Sequence, residues 1–309
     1  MKCLFCNKNL KGNKELLTGW HTKCIKKFFM NKELPKIHLV DEEILASNNK
    51  GETVTGVQKK FSIYINPSAD QKITLFNNPL GYIVKPDINE FNFLPEAEHL
   101  VMCMAEEASL SVVPHALVKV DDKYAYITKR IDREYENNQI NKIAMEDFCQ
   151  LQNKLTETKY VGSYEKCGKT IDTYSSIPGA DKAEFFLRLV FCFITGNSDM
   201  HLKNFSLIET NEGYKLSPAY DLLPVNIIMP DDKEECALTL NGKKMNITKN
   251  DFIKLAYNLS IPKPAAIKMI ESMIQKENTF VNMVEESLLS NEMKESFIAL
   301  IHNRIARLK

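Results

Sequence analysis

"GNSDMHLKNFSLI", residues 196–208, gathers an acid, a histidine, a lysine and an asparagine into one short stretch. It directly follows "FFLRLVFCFIT" (185–195), an apolar run whose only charge is Arg188. That run reads as a buried helix, and Gly196 stops it. The polar residues therefore form a loop pinned to a core element. "FSLIE" (205–209) reads as a strand, "TNEG" as a turn, and "YKLSPA" (214–219) as a second strand leading to Tyr220 and Asp221. In an antiparallel hairpin the start of the first strand lies beside the end of the second. Asn204 and Asp221 are therefore expected to face each other across one cleft, with Asp199 nearby.

This arrangement suits phosphoryl transfer. One acid accepts the proton of an attacking hydroxyl, while an amide oxygen and a second acid hold the magnesium that bridges nucleotide phosphates. Protein kinases place the catalytic-loop aspartate five positions before the metal-binding asparagine, with the second aspartate after a hairpin. Asp199 and Asn204 share that spacing. The plainer alternative is a polar loop capping a core helix.

Upstream, "GYIVKP" ends a strand with Lys85, much as the kinase motif V-A-I-K does. Lys85 is then the lysine that neutralises nucleotide phosphates, and Glu98, at the start of the next helix, orients it. Taken alone, a lysine at a strand end is more often simply solvated. "TVTGVQKKF" has a single glycine, Gly56, where G-x-G-x-x-G would be needed, so it fails as an ordinary glycine-rich loop.

The chain has 309 residues, 44% of them hydrophobic and 26% charged, the profile of a globular protein with a sizeable core. Forty basic and forty acidic residues cancel, so no general attraction to nucleic acid or an anionic membrane is expected. The opening "MKCLFCNKNLKGNKE" is polar where a secretory leader would be apolar. Five of the eight cysteines are scattered singly, which argues against a disulfide framework and for a reducing cytoplasm.

Three regions separate by pattern. Residues 1–30 hold Cys3, Cys6, His21 and Cys24. C-x-x-C followed fourteen residues later by H-x-x-C is the spacing of a tetrahedral zinc knuckle, structural because every position would be filled. A cluster of reduced cysteines with an incidental histidine is the alternative. Residues 31–131 read as a β-rich lobe with one helix over "EAEHLVMCMAEEASL" (96–110). Residues 132–309 are mainly helical, beginning with "MEDFCQLQNKL" (145–155) and closing with a helix that carries Met293, Phe297, Leu300, Ile301, Ile305 and Leu308 on one face. The fold expected is α+β and bilobal, kinase-like.

The set "TVTGVQKKFS" (53–62), "YIVKP" (82–86), "EHLVMCMAEEASLSVVP" (98–114), "KRIDR" (129–133), "MEDFCQ" (145–150), "GNSDMHLKNFSLI" and "SPAYDLLP" (217–224) resembles the HipA-like serine/threonine kinases of bacterial toxin–antitoxin systems in order and spacing. The resemblance covers roughly residues 50–255 and implies the phosphoinositide-kinase-like version of the bilobal fold. It implies Asp199 as catalytic base, Asn204 and Asp221 as magnesium ligands, and Lys85 as the ATP-phosphate lysine. It implies His201 and Lys203 as the remaining members of D-x-H-x-K-N, with His201 a positioning residue. Gly56, Val57, Gln58 and Lys60 correspond to the family's phosphate loop, and Lys129 to Ile131 to the hinge that pairs with adenine. Similar proteins carry a serine before the phosphate loop whose phosphorylation silences them; Thr53 and Thr55 stand there in this chain, and a phosphate on either would add negative charge beside the nucleotide site.

Longer members of the family begin with a further N-terminal subdomain, for which there is no room before Thr53 at ordinary domain sizes. The chain resembles the short HipT form of tripartite HipBST systems. That implies a small separate companion resembling the missing subdomain, a helix-turn-helix antitoxin through which any contact with DNA would be indirect, no membrane, and an aminoacyl-tRNA synthetase or similar translation protein as substrate. Two other readings stay open: a degenerate kinase serving as partner or co-repressor in an antitoxin–DNA complex, and a small-molecule or lipid kinase on the same architecture.

Overall fold

The computed structural model describes residues 1–31, 33–35, 60–65, 73–74, 81–88, 90–120, 123–136 and 139–309. The chain divides into two compact units, one of Met1–His99 with Val113–Lys142, the other of Leu100–Val112 with Ile143–Lys309. The architecture is mixed helix and sheet, as the sequence led us to expect.

The first unit opens with helices α1 (Asn13–Thr18) and α2 (Thr22–Phe29). Its antiparallel sheet comprises β1 (Phe61–Ile65), β2 (Ile73–Thr74), β3 (Tyr82–Pro86), β4 (His115–Val120) and β5 (Lys123–Lys129), in the order β2-β1-β3-β5-β4. β-Branched and aromatic residues drive these strands, and Val84, Ala116, Ala125 and Ile127 are wholly buried. The register opposes Tyr82 to Lys129 and Lys85 to Tyr126. A hairpin of β6 (Arg133–Glu136) and β7 (Gln139–Lys142) completes the unit. Helix α3 (Leu94–Glu107) starts here, and its later turns belong to the second unit.

A small sheet of β8 (Met145–Asp147), β9 (Ser206–Thr210) and β10 (Gly213–Leu216), ordered β10-β9-β8, anchors the second unit. Around it lie α4 (Phe148–Leu151), α5 (Tyr164–Tyr174), α6 (Pro178–Thr195), α7 (Val225–Ile228), α8 (Lys249–Asn258), α9 (Lys263–Ile274), α10 (Glu277–Glu285) and α11 (Asn291–Ala306). The apolar run is the helix α6. Pro178 starts it, where a missing N–H costs nothing, and Gly196 ends it in the left-handed region at φ 69°. A Cβ at Gly196 would meet Leu300 Cδ1 at 3.0 Å. Helix α6 packs against α5, α9 and α11, and it also meets α8, with Phe193 edge-on to Phe252, and α10, with Phe191 edge-on to Phe280.

Two expected elements differ. "MEDFCQLQNKL" is not one helix: Met145–Asp147 pairs with β9, and only Phe148–Leu151 is helical. Asp147 is the reason, because its carboxylate accepts from Gln150 N–H while the Gln150 side chain accepts from Asp147 N–H. That reciprocal cap starts a helix and forbids one upstream. The second hairpin strand stops at Leu216 rather than running through 219. Pro218 has no N–H for a ladder, and Ala219 N–H donates instead to the Ser111 carbonyl.

Candidate active site

The loop after α6 is built from the inside out. Met200, Leu202 and Phe205 are fully buried, and Phe205 meets Phe148, Phe185 and Tyr164 at 4.9–6.3 Å between ring centroids. Residues between these anchors are carried outward, so Asp199 and Lys203 are half-buried. Asn197 Oδ1 accepts from Asp199 N–H at 3.2 Å. The Asp199 carbonyl in turn accepts from His201 N–H at 2.8 Å and from Asn204 Nδ2 at 2.9 Å. The two residues singled out for their five-residue spacing are thus bonded to each other.

Asn204 is 4% exposed, and with its nitrogen spent on Asp199 its oxygen is the group it can offer a cation. Tyr220 fastens the far end of the hairpin: its hydroxyl donates to the Lys203 carbonyl at 3.0 Å and accepts from Ser206 Oγ at 2.6 Å. The residue before Asp221 is therefore held against the residue before Asn204. Asp221 itself sits at φ 60°, in the left-handed region that aspartate enters more readily than most non-glycine residues. Arg188, fully buried in α6, donates to the Ser217 carbonyl at 3.0 Å and holds the segment leading to Asp221.

Sequence reasoning missed several partners. Tyr160 O–H donates to Asp199 Oδ1 at 2.8 Å, and its ring stands edge-on to His201 at 5.0 Å. Burial, then the carboxylates of Asp199, Asp221 and Asp232, push the Tyr160 phenol well above its usual range, so it stays a donor. Tyr160 lies in "TKYVGS" (158–163), an irregular stretch with no spacing to single it out. Lys203, expected among the catalytic residues, pairs with Asp147 Oδ2 at 2.7 Å, so the "MEDFCQ" motif serves to cap α4 and tether this loop. His201 is buried, 5% exposed.

In the first unit Lys85 Nζ donates to Glu98 Oε1 at 2.5 Å, with side-chain exposures of 5% and 0%. The ammonium also lies 5.3 Å from the Tyr126 ring centroid, its neighbour across β5. The lysine and acid proposed to pair do pair. Lys60 stands half-buried just before β1; Thr53, Thr55, Gly56, Val57 and Gln58 lie outside the described residues. Lys129 N–H is spent on the Pro114 carbonyl at 2.9 Å, so that amide is not the one an adenine would meet. Ile131, the other end of the expected hinge, is half-buried. In "KRIDR", burial raises the Asp132 carboxyl, but Arg130 and Arg133 outweigh it and hold it below the usual range.

Cys3, Cys6, His21 and Cys24 also converge, their ligand atoms all within 4.8 Å of one another. Each unit offers part of what nucleotide chemistry needs: the first a buried lysine–glutamate pair suited to phosphate charge, the second an amide oxygen at Asn204 and a carboxylate at Asp221 suited to a hard cation. Among the described residues no helix is long and apolar enough to cross a membrane.

The family model of the HipA-like C-terminal domain matches residues 53–280. A Haemophilus influenzae protein named "Putative kinase" is 24% identical, the match covering 99% of this chain and 97% of the relative. "Putative kinase Y4dM" of Sinorhizobium fredii is 30% identical, over 72% of this chain and 58% of its own length. Among solved structures, HipA of Shewanella oneidensis MR-1, in a toxin–antitoxin complex with HipB and operator DNA, superposes with a TM-score of 0.69 at 20% identity, covering 87% of this chain and 70% of that one. The Helicobacter pylori proinflammatory kinase CtkA gives 0.53 at 18% identity, covering 80% and 93%.

Proposed function

The chain belongs to the HipA-like C-terminal domain family, and from that premise we propose that it is an ATP- and magnesium-dependent protein serine/threonine kinase, the toxin of a bacterial toxin–antitoxin system. The observation that carries this reading is the bonded trio of Tyr160, Asp199 and Asn204, fastened through Tyr220 to the segment after β10 that bears Asp221. A binding scaffold has no physical need for an aspartate whose carboxylate is held by a phenol and whose backbone carbonyl is held by an amide.

When bound, ATP would supply the phosphoryl group and magnesium the positive charge that offsets its phosphates. Asn204 and Asp221 are the residues that would hold the cation. Lys85, held in place by Glu98, neutralises phosphate charge. Asp199 takes the proton of the attacking serine or threonine hydroxyl, and Tyr160 holds its carboxylate in place. His201 positions Asp199 through its backbone N–H, and Lys203 positions the loop through Asp147.

The substrate in this reading is an aminoacyl-tRNA synthetase or a similar translation protein in the cytoplasm. Phosphorylation of Thr53 or Thr55 by the enzyme itself switches it off by placing charge beside the nucleotide phosphates. The partners are a helix-turn-helix antitoxin, through which any contact with DNA runs, and a small separate companion protein. The antitoxin has support from the Shewanella relative, which is seen with HipB on operator DNA.

The test is intact-mass analysis of wild type and Asp221→Ala after incubation with magnesium and ATP, alone and with a panel of aminoacyl-tRNA synthetases. Phosphate gained by the kinase or a synthetase with wild type only supports the proposal, and peptide mapping then checks Thr53 and Thr55. Magnesium-dependent ATP binding with no transfer to any protein would favour the degenerate, co-repressor reading instead. Transfer to a metabolite or lipid alone would favour a small-molecule kinase.

Tyr160→Phe gives a finer check on the base. One hydrogen bond to a charged group contributes about 1.5–3 kcal/mol, so kcat is expected to fall roughly 10- to 100-fold. Steady-state kinetics should show KM for ATP nearly unchanged, because the phenol touches the base and not the nucleotide. A rise in KM with kcat preserved would remove Tyr160 from this role.

A further inference from the structure

Four side chains of the first unit are unused by phosphoryl transfer. We infer that Cys3, Cys6, His21 and Cys24 bind one zinc ion in a closed, structural site that fastens residues 1–30 to the sheet bearing Lys85.

Two tight turns each present two ligands. Cys3 and Cys6 flank a turn in which Asn7 N–H donates to the Cys3 carbonyl and Cys3 N–H to the Lys8 carbonyl, both at 2.9 Å, with Asn7 at φ 53°. His21 immediately precedes α2, and Cys24 lies in its first turn, where residues three apart share a face. His21 Nδ1 lies 3.3 Å from Cys6 Sγ and 3.7 Å from Cys24 Sγ. Zinc with Zn–S near 2.3 Å and Zn–N near 2.0–2.1 Å sets the edges of its tetrahedron at roughly 3.5–3.8 Å. Both distances lie close to those edges, and the remaining ones are within 4.8 Å.

The second layer is in place as well. His21 Nε2 lies 3.1 Å from the Asn9 carbonyl, which can only accept, so the ring proton sits on Nε2 and the Nδ1 lone pair faces the thiols. Three sulfurs and one imidazole select a soft cation such as zinc over magnesium or calcium. Four protein ligands leave no open position for chemistry.

The site has a mechanical reason to exist. Some thirty residues have little core of their own, and metals commonly supply what such a core cannot. Trp20 stacks on Phe5 at 5.8 Å and meets Phe28 and Phe29, which in turn meet Tyr82 of β3. Tyr82 O–H donates to the Phe28 carbonyl at 2.7 Å, and Leu117 N–H of the edge strand β4 donates to the Leu4 carbonyl at 2.9 Å.

The test uses the full chain purified without a metal-affinity tag. Metal analysis should find one zinc per chain, and Cys6→Ser should bind at least about tenfold more weakly. Cobalt in its place should give the absorption of a tetrahedral site with thiolate charge transfer. Trp20 is the single tryptophan, so its emission reports on this region alone. Chelation should shift that emission to the red, and added zinc should reverse the shift, which serves even if Cys6→Ser does not fold. Zinc below about 0.1 per chain in protein whose eight cysteines all titrate as free thiols would overturn the inference. So would a disulfide among Cys3, Cys6 and Cys24 found by peptide mass. Either result leaves the kinase reading untouched, since no group of the phosphoryl-transfer site is altered.

Discussion

Asp199→Asn is expected to lower phosphate transfer by about 10²–10⁴-fold, the range for loss of a positioned general base. The substitution keeps the size of the side chain and an oxygen to accept from Tyr160 O–H. The backbone bonds of residue 199 to Asn197, His201 and Asn204 do not involve the carboxylate. The loop should therefore hold its shape, and only basicity is lost. Initial rates measured beside calorimetric ATP affinity separate the cases: transfer collapses while affinity stays put. If both are unchanged, Asp199 is not the base; if affinity alone collapses, it belongs to nucleotide binding.

The second large effect is expected at the buried pair of Lys85 and Glu98. Removing one partner of such a pair costs about 3–5 kcal/mol, because the other stays buried without the opposite charge it faces at closest range. Glu98→Ala should therefore lower the midpoint of thermal unfolding by roughly 6–20 °C, followed through Trp20 in the same compact unit. Replacing both partners by apolar residues of similar size is often neutral. Lys85→Met with Glu98→Leu should accordingly recover most of the lost stability and none of the phosphate transfer. A double variant that is stable and fully active would show that Lys85 serves the fold alone. A loss of stability below about 1 kcal/mol in Glu98→Ala would mean that water reaches the pair.

The parts of this molecule that could be read in advance are those governed by local rules. Pro178 and Gly196 mark the two ends of α6, and the hairpin follows from two short strands around Asn211, Glu212 and Gly213. Once those hold, the nearness of Asp199 to Asn204 follows, though not the bond between them, and so does the approach of Lys85 to Glu98 from a strand followed by a helix. Tyr160 was invisible because its partner lies thirty-nine residues away and nothing periodic surrounds it. The role of Asp147 was hidden for a different reason. Its neighbours are good helix formers, and a reciprocal cap between Asp147 and Gln150 overrode their preference. The division of α3 between two units likewise leaves no mark on composition.

The likeness to the family spans residues 53–280, but folding does not respect those limits. Upstream of them, Phe28 and Phe29 shield Tyr82, and Leu4 satisfies the edge of β4. Downstream, Phe297, Ile301 and Ile305 are wholly buried, while Arg304 and Arg307 both reach the Glu235 carboxylate at 2.6 Å. A fragment trimmed to the matched range would thus bare aromatic surface and an open strand edge at one end, and strand a buried carboxylate at the other. Sticky surface and an unpaired edge invite self-association, so a laboratory expressing the recognisable part of this protein would be handling an aggregate.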